Sequence, residues 1–411
     1  MLQKADMALD ARLTVLLTLK GRDLFTLRWL WHANRVKLPF QIVIADGEVN
    51  PVVARLIEDP GVFANLQIEY RRYNDRTFQD FYCKLQDALS RIKTPYVMMS
   101  DNDDFLFLSG IVESLNFLER SPGYVSAGGG IGHFECKEGT HRIPNLSGKI
   151  DRFWFQQSRA YQAYDLDSRL ASERVREAYA GFLTVCYNVF QTEALRTMAN
   201  ELSQLNFERL DNAELYLILR AATLGRIKSS PSCISYLRQL GTSSNPSLGK
   251  DFVASISAGG YIDEIQKIVA HIATVAARAD GAGAAGIAEK LEAISSARLR
   301  EKLTAALGWR AAAKAALKRH MPQGLVSSMK TLGERFRSGR SSAAGGPPVS
   351  REGMLRLFVR AGASSALVSE IQHELSDVEH TMESGDFIAF LEASAPELLG
   401  QQKHTSSESI V

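Results

Sequence analysis

The 411-residue chain has few cysteines, little net charge and no long apolar run. Its four cysteines, at 83, 136, 186 and 233, form no C-x-x-C pair, which argues against a zinc knuckle or a disulfide framework and fits a reducing compartment. A net charge of +2 gives no strong attraction to nucleic acid. No apolar run is long enough to span a bilayer, and Asp6 and Asp10 precede the first one, unlike in a signal peptide. We therefore expect a cytoplasmic protein that does not bind nucleic acid.

The first part of the chain alternates short apolar runs with stretches of helical period. Continuous apolar segments rich in β-branched residues predict strands covered on both faces at 12–19 and 40–46. Further strands are expected at 96–99, 124–134 and about 227–235. Helical spacing predicts helices at 23–36, 78–93 and 207–225. This order predicts an α/β fold with a mostly parallel, doubly wound sheet.

Composition divides the rest of the chain. The segment 135–205 is polar and aromatic with weak periodicity, so we expect an irregular insertion that builds a binding pocket. We expect an α/β domain over 1–254, followed by an Ala-rich helical region over 255–336. A Gly/Pro/Ser-rich linker at 337–350 leads to a small helical segment at 351–400 and a disordered tail at 401–411.

Acidic residues crowd the end of one predicted strand, in PYVMMSDNDDFLFL. Asp101, Asn102, Asp103 and Asp104 follow the apolar run directly. Like charges this close repel, and a hard cation bound between them would remove that repulsion. Oxygen ligands suit Mg²⁺ or Mn²⁺. In open α/β sheets ligands bind at the carboxyl ends of strands, which is where this group falls.

Two other strands end in polar residues at the same predicted edge. The first leads into Thr18, Lys20 and Arg22, and the second ends in Asp46. Cations, an acid and an acid pair would thus meet along one rim. The complementary ligand is a nucleotide with a metal-bound diphosphate.

The pattern resembles the GT-A-fold glycosyltransferases, specifically the family 2-like group of bacterial type, over about residues 12–240. The resemblance rests on the turn at Asp46-Gly47 and on a D-x-D motif, Asp101-Asn102-Asp103, after an apolar strand. It implies a UDP- or GDP-type nucleotide-sugar donor, Mn²⁺ or Mg²⁺, and inverting, hexosyltransferase-like transfer to a hydroxyl. The implied acceptor is a polysaccharide, a glycolipid or another cell-envelope glycan.

The resemblance also implies roles for individual residues. Asp46 matches an acid that contacts the base or ribose, Asp101 an acid near the ribose and the metal, and Asp103 the metal ligand. Lys84 falls near a position that faces the nucleotide. Thr18, Lys20, Arg22 and Asn102 belong to the donor rim, and Arg238 lies in a segment that closes on the diphosphate.

The catalytic base remains open between two acids. Glu214 stands six residues before Arg220, with Gly225 five further on, as in the family. However, Ala213 replaces the acid that precedes the base in the family. Asp211, one helical turn before Glu214, is the alternative.

Each of these features also has a structural interpretation. Asp103 or Asp104 could cap a helix that begins near Phe105. Arg209 and Arg220 could be structural partners of the two helix acids. The glycines 128–130 lack phosphate-loop spacing and indicate close packing.

Two other function classes compete with this interpretation. One is a sugar-nucleotide nucleotidyltransferase, although such enzymes carry a Gly-rich loop after the first strand and TLKGRD has only one glycine. The other is a non-catalytic nucleotide-sugar-binding protein.

The stretch 309–340 is basic and interleaved with apolar residues, with eight Lys or Arg and one acid. Such a stretch can lie on anionic lipid, so a peripheral contact with the inner face of the membrane is one expectation. A solvated helix packed on the α/β domain is the other, since Pro322 and Gly324 interrupt the apolar face.

Overall fold

The computed structural model describes residues 10–136, 146–155, 164–181, 183, 185–239, 260–300 and 349–399. The strands, numbered β1 to β10, span Leu13–Leu19, Gln41–Asp46, Gln67–Arg72, Tyr96–Ser100, Phe105–Leu106, Tyr124–Cys136, Ile150–Phe155, Tyr164–Leu166, Val189–Gln191 and Arg226–Gln239. The helices α1 to α8 span Asp23–Arg35, Pro51–Glu58, Phe78–Arg91, Leu108–Arg120, Ala171–Gly181, Thr192–Leu205, Leu210–Leu224 and Tyr261–Asp280. Helix α9 covers 284–300, and α10 to α12 span Arg351–Arg360, Ser365–Glu383 and Asp386–Ser394.

The ten strands form one sheet in the order β3-β2-β1-β4-β9-β6-β10-β5, with β7 beside β6 and β8 beside β10. Strands β1 to β4 are parallel, and so are β6 and β10. The short β9 runs antiparallel to both of its neighbours, β4 and β6. The predicted mostly parallel α/β sheet is therefore confirmed.

The strand order reverses direction between β1 and β4. From β1 the chain continues outward to β2 and β3 and then crosses back to β4. In the register, Leu19 lies opposite Asp46, and Leu17 lies opposite Ser100, so three carboxyl ends meet at one rim. Open α/β sheets bind ligands at such a switch point.

Helices cover both faces of the sheet. One apolar cluster joins the sheet to α3, α5, α6, α7, α8 and α9, through Tyr82, Val175, Leu195, Ile218, Ile268 and Leu291. A second cluster joins it to α1, α2, α4 and α12, through Leu27, Val53, Ile111 and Phe387. Since α8 shares the first core with α7, the helical region predicted from residue 255 begins as part of the α/β layer.

Two features differ from the sequence predictions. Strand β3, Gln67–Arg72, was missed because its charged, half-exposed residues lack an apolar run. The segment 135–205, predicted to be irregular, contains β7, β8, β9, α5 and α6 among its described residues. The predicted close packing of the β6 glycines is confirmed: a Cβ on Gly128 would lie 2.2 Å from the Asn188 side-chain oxygen.

The segment 351–400, predicted as a small helical segment, contains the helices α10 to α12 among its described residues. They pack on the α/β domain through an apolar cluster that joins Met354, Phe358 and Leu375 to Phe105 and Leu237. The stretch 309–340 and the tail 401–411 lie outside the described residues. Within the described ranges, the helices are too short or too polar to cross a bilayer.

Candidate active site

The acidic loop that follows β4 is the centre of the candidate site. Asp101, Asp103 and Asp104 each place a carboxylate oxygen within 4.8 Å of the others. The expectation that Asp103 or Asp104 caps a helix is wrong. Phe105–Leu106 is a strand, and α4 begins only at Leu108, after Phe107, with no side-chain cap.

Asp103 is paired with the turn that follows β1. Its Oδ2 accepts a hydrogen bond of 3.0 Å from Nη2 of Arg22. Arg22 has a left-handed backbone, with φ of 61°, directly after Gly21 at φ of 63°. That turn brings the guanidinium back over the end of the sheet, so a predicted donor-binding cation and the predicted metal ligand are in contact.

Asn102 lies in the same loop, but its amide nitrogen serves the structure. It donates to Oγ1 of Thr26 at 2.9 Å and to the Arg22 carbonyl at 3.4 Å. These bonds fasten the acidic loop to the first turn of α1.

Asp101 belongs to a cluster with Tyr187 and Arg238. Its Oδ2 accepts from the Tyr187 hydroxyl at 2.5 Å and from Nη2 of Arg238 at 3.3 Å. The ring of Tyr187 stacks on that of Tyr236 at 4.6 Å, and the Arg238 guanidinium lies over both rings. Arg238 therefore reaches the acidic loop, and Tyr187 aligns it there.

Asp104 is buried at the base of the cluster. Its carboxylate accepts hydrogen bonds from the Tyr236 hydroxyl and from the Gln239 backbone N–H, the latter at 3.2 Å. Burial raises the pKa of Asp104 to about 7, against the opposing effect of Arg238. Asp104 thus ties the end of β10 to the loop after β4.

The end of β2 presents Asp46 to the same rim. Its Oδ2 accepts from the Tyr70 hydroxyl at 2.6 Å, and its Oδ1 accepts from the Glu48 N–H at 3.0 Å. On the end of β1, Thr18 is half-buried and Lys20 is exposed. These groups lie along one edge, as the sequence predicts.

Lys84 lies beneath this rim. Only 1% of its side chain is exposed; Nζ donates to the Leu19 carbonyl at 2.8 Å and forms an ion pair with Asp75. Burial lowers the pKa of Lys84, and the Asp75 carboxylate opposes that effect. A Cβ on Gly47 would collide with the Asp75 side chain. Lys84 and Asp75 therefore hold together the turns that end β1 and β2.

The two candidate bases on α7 face different surroundings. Burial raises the pKa of Glu214, with the positive charge of Arg238 opposing and the negative charge of Asp101 adding to that effect. The charged groups that act on the Glu214 carboxyl are thus Arg238 and Asp101 of the cluster at the end of β4, together with Asp211. Asp211 instead pairs with Arg209 at 3.1 Å and lines a cavity of about 290 Å³ between α7, α8 and α9.

Of the two arginines weighed as partners of these acids, one has that role and the other does not. Arg209 pairs with Asp211, and Arg220 makes a two-point contact with Glu201, at 2.7 and 2.8 Å. Arg220 also donates to Thr223 at 2.6 Å. Among the described residues no ion pair joins either arginine to Glu214.

Sequence reasoning missed Tyr187 and Asp75. Tyr187 comes from the turn before β9, in a segment without periodicity, and reaches the site only because β9 inserts beside β4. Asp75 lies after a strand that was itself missed. Polar residues at or shortly after the end of a strand were the available signal, and Asp75, three residues beyond β3, fits it once β3 is known.

The chain matches no protein-family model and no curated protein sequence. Similar solved structures include S. aureus TarS 1-349, at a TM-score of 0.44 and 12% identity over 90% of each chain. TarS 1-349 in complex with UDP gives 0.43 and 12%, over 90% of this chain and 89% of that one. TarS itself gives 0.41 and 13%, over 68% of this chain, which spans 42% of the TarS chain. Identities and TM-scores this low do not establish a shared activity.

Proposed function

We propose that the protein is a metal-dependent inverting glycosyltransferase of the GT-A type, which moves a sugar from a UDP- or GDP-type donor to a hydroxyl acceptor. One observation carries the proposal. At the switch point between β1 and β4, three carboxylates of one loop lie in contact with Arg22 and Arg238. A diphosphate with a divalent cation complements such a mixed set of charges.

The donor set suits the cation that the fold class uses. Asp101 and Asp103, supported by Asp104, would hold Mn²⁺ or Mg²⁺ through carboxylate oxygens. The ion, when bound, supplies positive charge that stabilises the departing diphosphate. In the structure, Asp103 pairs with Arg22 at 3.0 Å and Asp101 with Arg238 at 3.3 Å, so both carboxylates already lie beside cations that could share a diphosphate with the ion.

The donor lies along the rim in this proposal. Asp46 contacts the base or ribose, and Asp101 the ribose. Thr18, Lys20 and Arg22 approach the diphosphate from the end of β1, and Arg238 from the end of β10. Lys84 acts from below, because its ion pair with Asp75 keeps the β1 and β2 turns in place.

Glu214 is the proposed base. Its carboxylate takes the proton of the acceptor hydroxyl, whose oxygen then forms a bond to the anomeric carbon. The bond from that carbon to the diphosphate breaks on the opposite face, and Arg238 and Lys20 stabilise the negative charge that the leaving oxygen gains. A single displacement of this kind inverts the anomeric configuration and needs one base.

The acceptor is proposed to be a polysaccharide, a glycolipid or a lipid-linked cell-envelope glycan. The stretch 309–340 would place the enzyme on anionic lipid, where such acceptors are made. The α/β unit over 1–254 would carry catalysis, and the helices after the 337–350 linker would support it.

A binding and turnover panel tests the proposal. Nucleoside diphosphates and sugar nucleotides are screened by thermal shift with and without Mn²⁺, and sugar-nucleotide hydrolysis is then measured. A Mn²⁺-dependent shift with a sugar nucleotide, together with release of the nucleoside diphosphate, is expected. Pyrophosphate release from a nucleoside triphosphate would instead indicate a nucleotidyltransferase, and binding without hydrolysis or transfer would indicate a non-catalytic binder.

A further inference from the structure

Arg28, on α1, is a buried cation directly behind the candidate site. Only 1% of Arg28 is exposed, and this burial lowers the pKa of its guanidinium to about 10. The guanidinium lies over the rings of Phe25 and Phe105, at 4.9 and 5.0 Å. Burying a charge this completely is costly, so the contacts that it makes should matter for more than the local packing.

The guanidinium joins the two segments that form the site. Nη2 donates to the backbone carbonyl of Asp103 at 2.8 Å, and Nη1 donates to Oε1 of Gln239 at 2.7 Å. Gln239 in turn donates its backbone N–H to Asp104. Arg28 therefore links the acidic loop after β4 to the end of β10, the strand that carries Arg238.

The last turns of α11 complete this arrangement. Nη1 of Arg28 lies 3.4 Å from the sulfur of Met382. One turn further along α1, Nδ1 of His32 bonds Oγ1 of Thr381 at 2.7 Å, while its ring packs edge-on against Phe105. Thr381 and Met382 are both buried. The C-terminal helices thus reach the reverse side of the acidic loop.

We infer that Arg28 is a positioning residue for the donor site, and that α11 holds it in place, so that the C-terminal helices are a working part of the catalytic unit. The inference rests on the proposed function for the identity of the ligand. A guanidinium suits the task because its planar fork serves two acceptors in fixed directions at once. A lysine would keep the charge but could not hold both Asp103 and Gln239 in this geometry.

The test compares Arg28→Lys with Arg35→Gln. Arg35 also joins α1 to α11, through a 2.7 Å ion pair with Asp377, but it does not contact the acidic loop. Hydrogen exchange of backbone amides in 101–107 is measured for the full chain, with the melting temperature, UDP affinity with and without Mn²⁺, and KM and kcat for the donor.

Arg28→Lys is expected to speed exchange in 101–107 about tenfold, and to raise the UDP Kd and the donor KM about tenfold with a smaller change in kcat. Arg35→Gln is expected to lower the melting temperature without these local changes. If Arg28→Lys does not fold, Gln239→Met removes one acceptor of the fork and should reproduce the loop effect.

The inference is overturned if the 101–107 amides of Arg28→Lys, and of Gln239→Met, exchange as in Arg35→Gln. The exchange measurement needs no ligand, so it remains decisive should the wild type fail to bind UDP. In that event the proposed function would fall, while the link between Arg28 and the acidic loop would still be confirmed or rejected.

Discussion

The hydroxyl of Tyr187 donates a 2.5 Å hydrogen bond to the carboxylate of Asp101. The two residues are far apart in sequence, and the antiparallel β9 brings them together. The same hydroxyl oxygen accepts from Arg238 at 3.0 Å. Tyr187 thus sets the separation between the first acid of the D-x-D motif and the cation proposed to face the diphosphate.

Tyr187→Phe should weaken binding of the nucleotide while leaving the fold intact. It removes the hydroxyl's two hydrogen bonds with charged groups, to Asp101 and from Arg238, and keeps the ring that stacks on Tyr236. Hydrogen bonds of this kind contribute about 1.5–3 kcal/mol, so the UDP Kd should rise about tenfold or more. Calorimetry with and without Mn²⁺ measures this. Unchanged affinity would show that Asp101 does not depend on Tyr187.

Asp103→Asn should abolish metal-dependent binding of the nucleotide with little loss of fold. The substitution keeps the shape of the side chain but removes the charge that a divalent cation needs. The matched control is Asp87→Asn, which removes a carboxylate of the surface pair with Arg91. Titration with Mn²⁺ and a sugar nucleotide is the measurement, and wild-type affinity in Asp103→Asn would refute the assignment.

Glu214→Gln should retain donor binding and lose transfer by about 10²–10⁴-fold, the usual contribution of a positioned general base. Asp211→Asn should stay active, because Asp211 is engaged with Arg209 and lines the cavity between α7, α8 and α9. Since a base acts when deprotonated and the pKa of Glu214 is raised, the wild-type rate should increase with pH through a value above 4.5. Single-turnover rates of the two variants decide between the acids. If Asp211→Asn lost transfer while Glu214→Gln stayed active, Asp211 would be the base instead.

Glu374 should make the protein less stable as pH rises from about 4.5 to about 7. Burial raises the pKa of this carboxyl to about 7, although Ser109 donates hydrogen bonds to it. In that interval the folded state binds a proton that the unfolded chain has released. The free energy of unfolding therefore falls with pH, by up to about 1.4 kcal/mol per unit from this group.

Urea unfolding at a series of pH values tests this effect. Glu374→Gln should flatten the slope between pH 4.5 and 7 relative to the wild type. The control is Glu370→Gln, an exposed neighbour on the same helix, which should change the slope much less. Parallel curves for the wild type and Glu374→Gln would show that Glu374 titrates normally.

The full chain should co-sediment with anionic vesicles, and not with neutral ones, if 309–340 contacts the membrane. Its eight basic residues would each contribute about 1 kcal/mol near an anionic surface, and high salt should reverse the binding. Absence of binding to either vesicle at low salt would favour the other expectation, a helix packed against the protein.

The sequence predicted the buried strands and the acids at their ends because both depend on local patterns. Continuous apolar runs identified β1, β2 and β4, and the polar residue after each strand identified Asp46 and Asp101 to Asp104. The surroundings of these residues depend on chain crossings instead. Local pattern does not reveal that β9 inserts between β4 and β6 and carries Tyr187 to Asp101.

The same distinction explains the acids of α7. Spacing placed Asp211 and Glu214 on neighbouring positions of one helix, which left either as the base. Only the packing of α8 and α9 beside α7 shows that Asp211 lines the cavity between these three helices. Likewise, nothing local in α11 indicates that Met382 lies against Arg28, since that contact joins residues at opposite ends of the chain.

The ten-stranded sheet ends in β3 on one side and in β5 on the other. A sheet margin with free backbone groups is a template on which another chain can add a strand. Strand β3 carries Glu69, Arg71 and Arg72, which form ion pairs along that margin, and β5 has only two residues. By this argument, the charges of β3 and the two-residue length of β5 make it unfavourable for another chain to add a strand beside either of them.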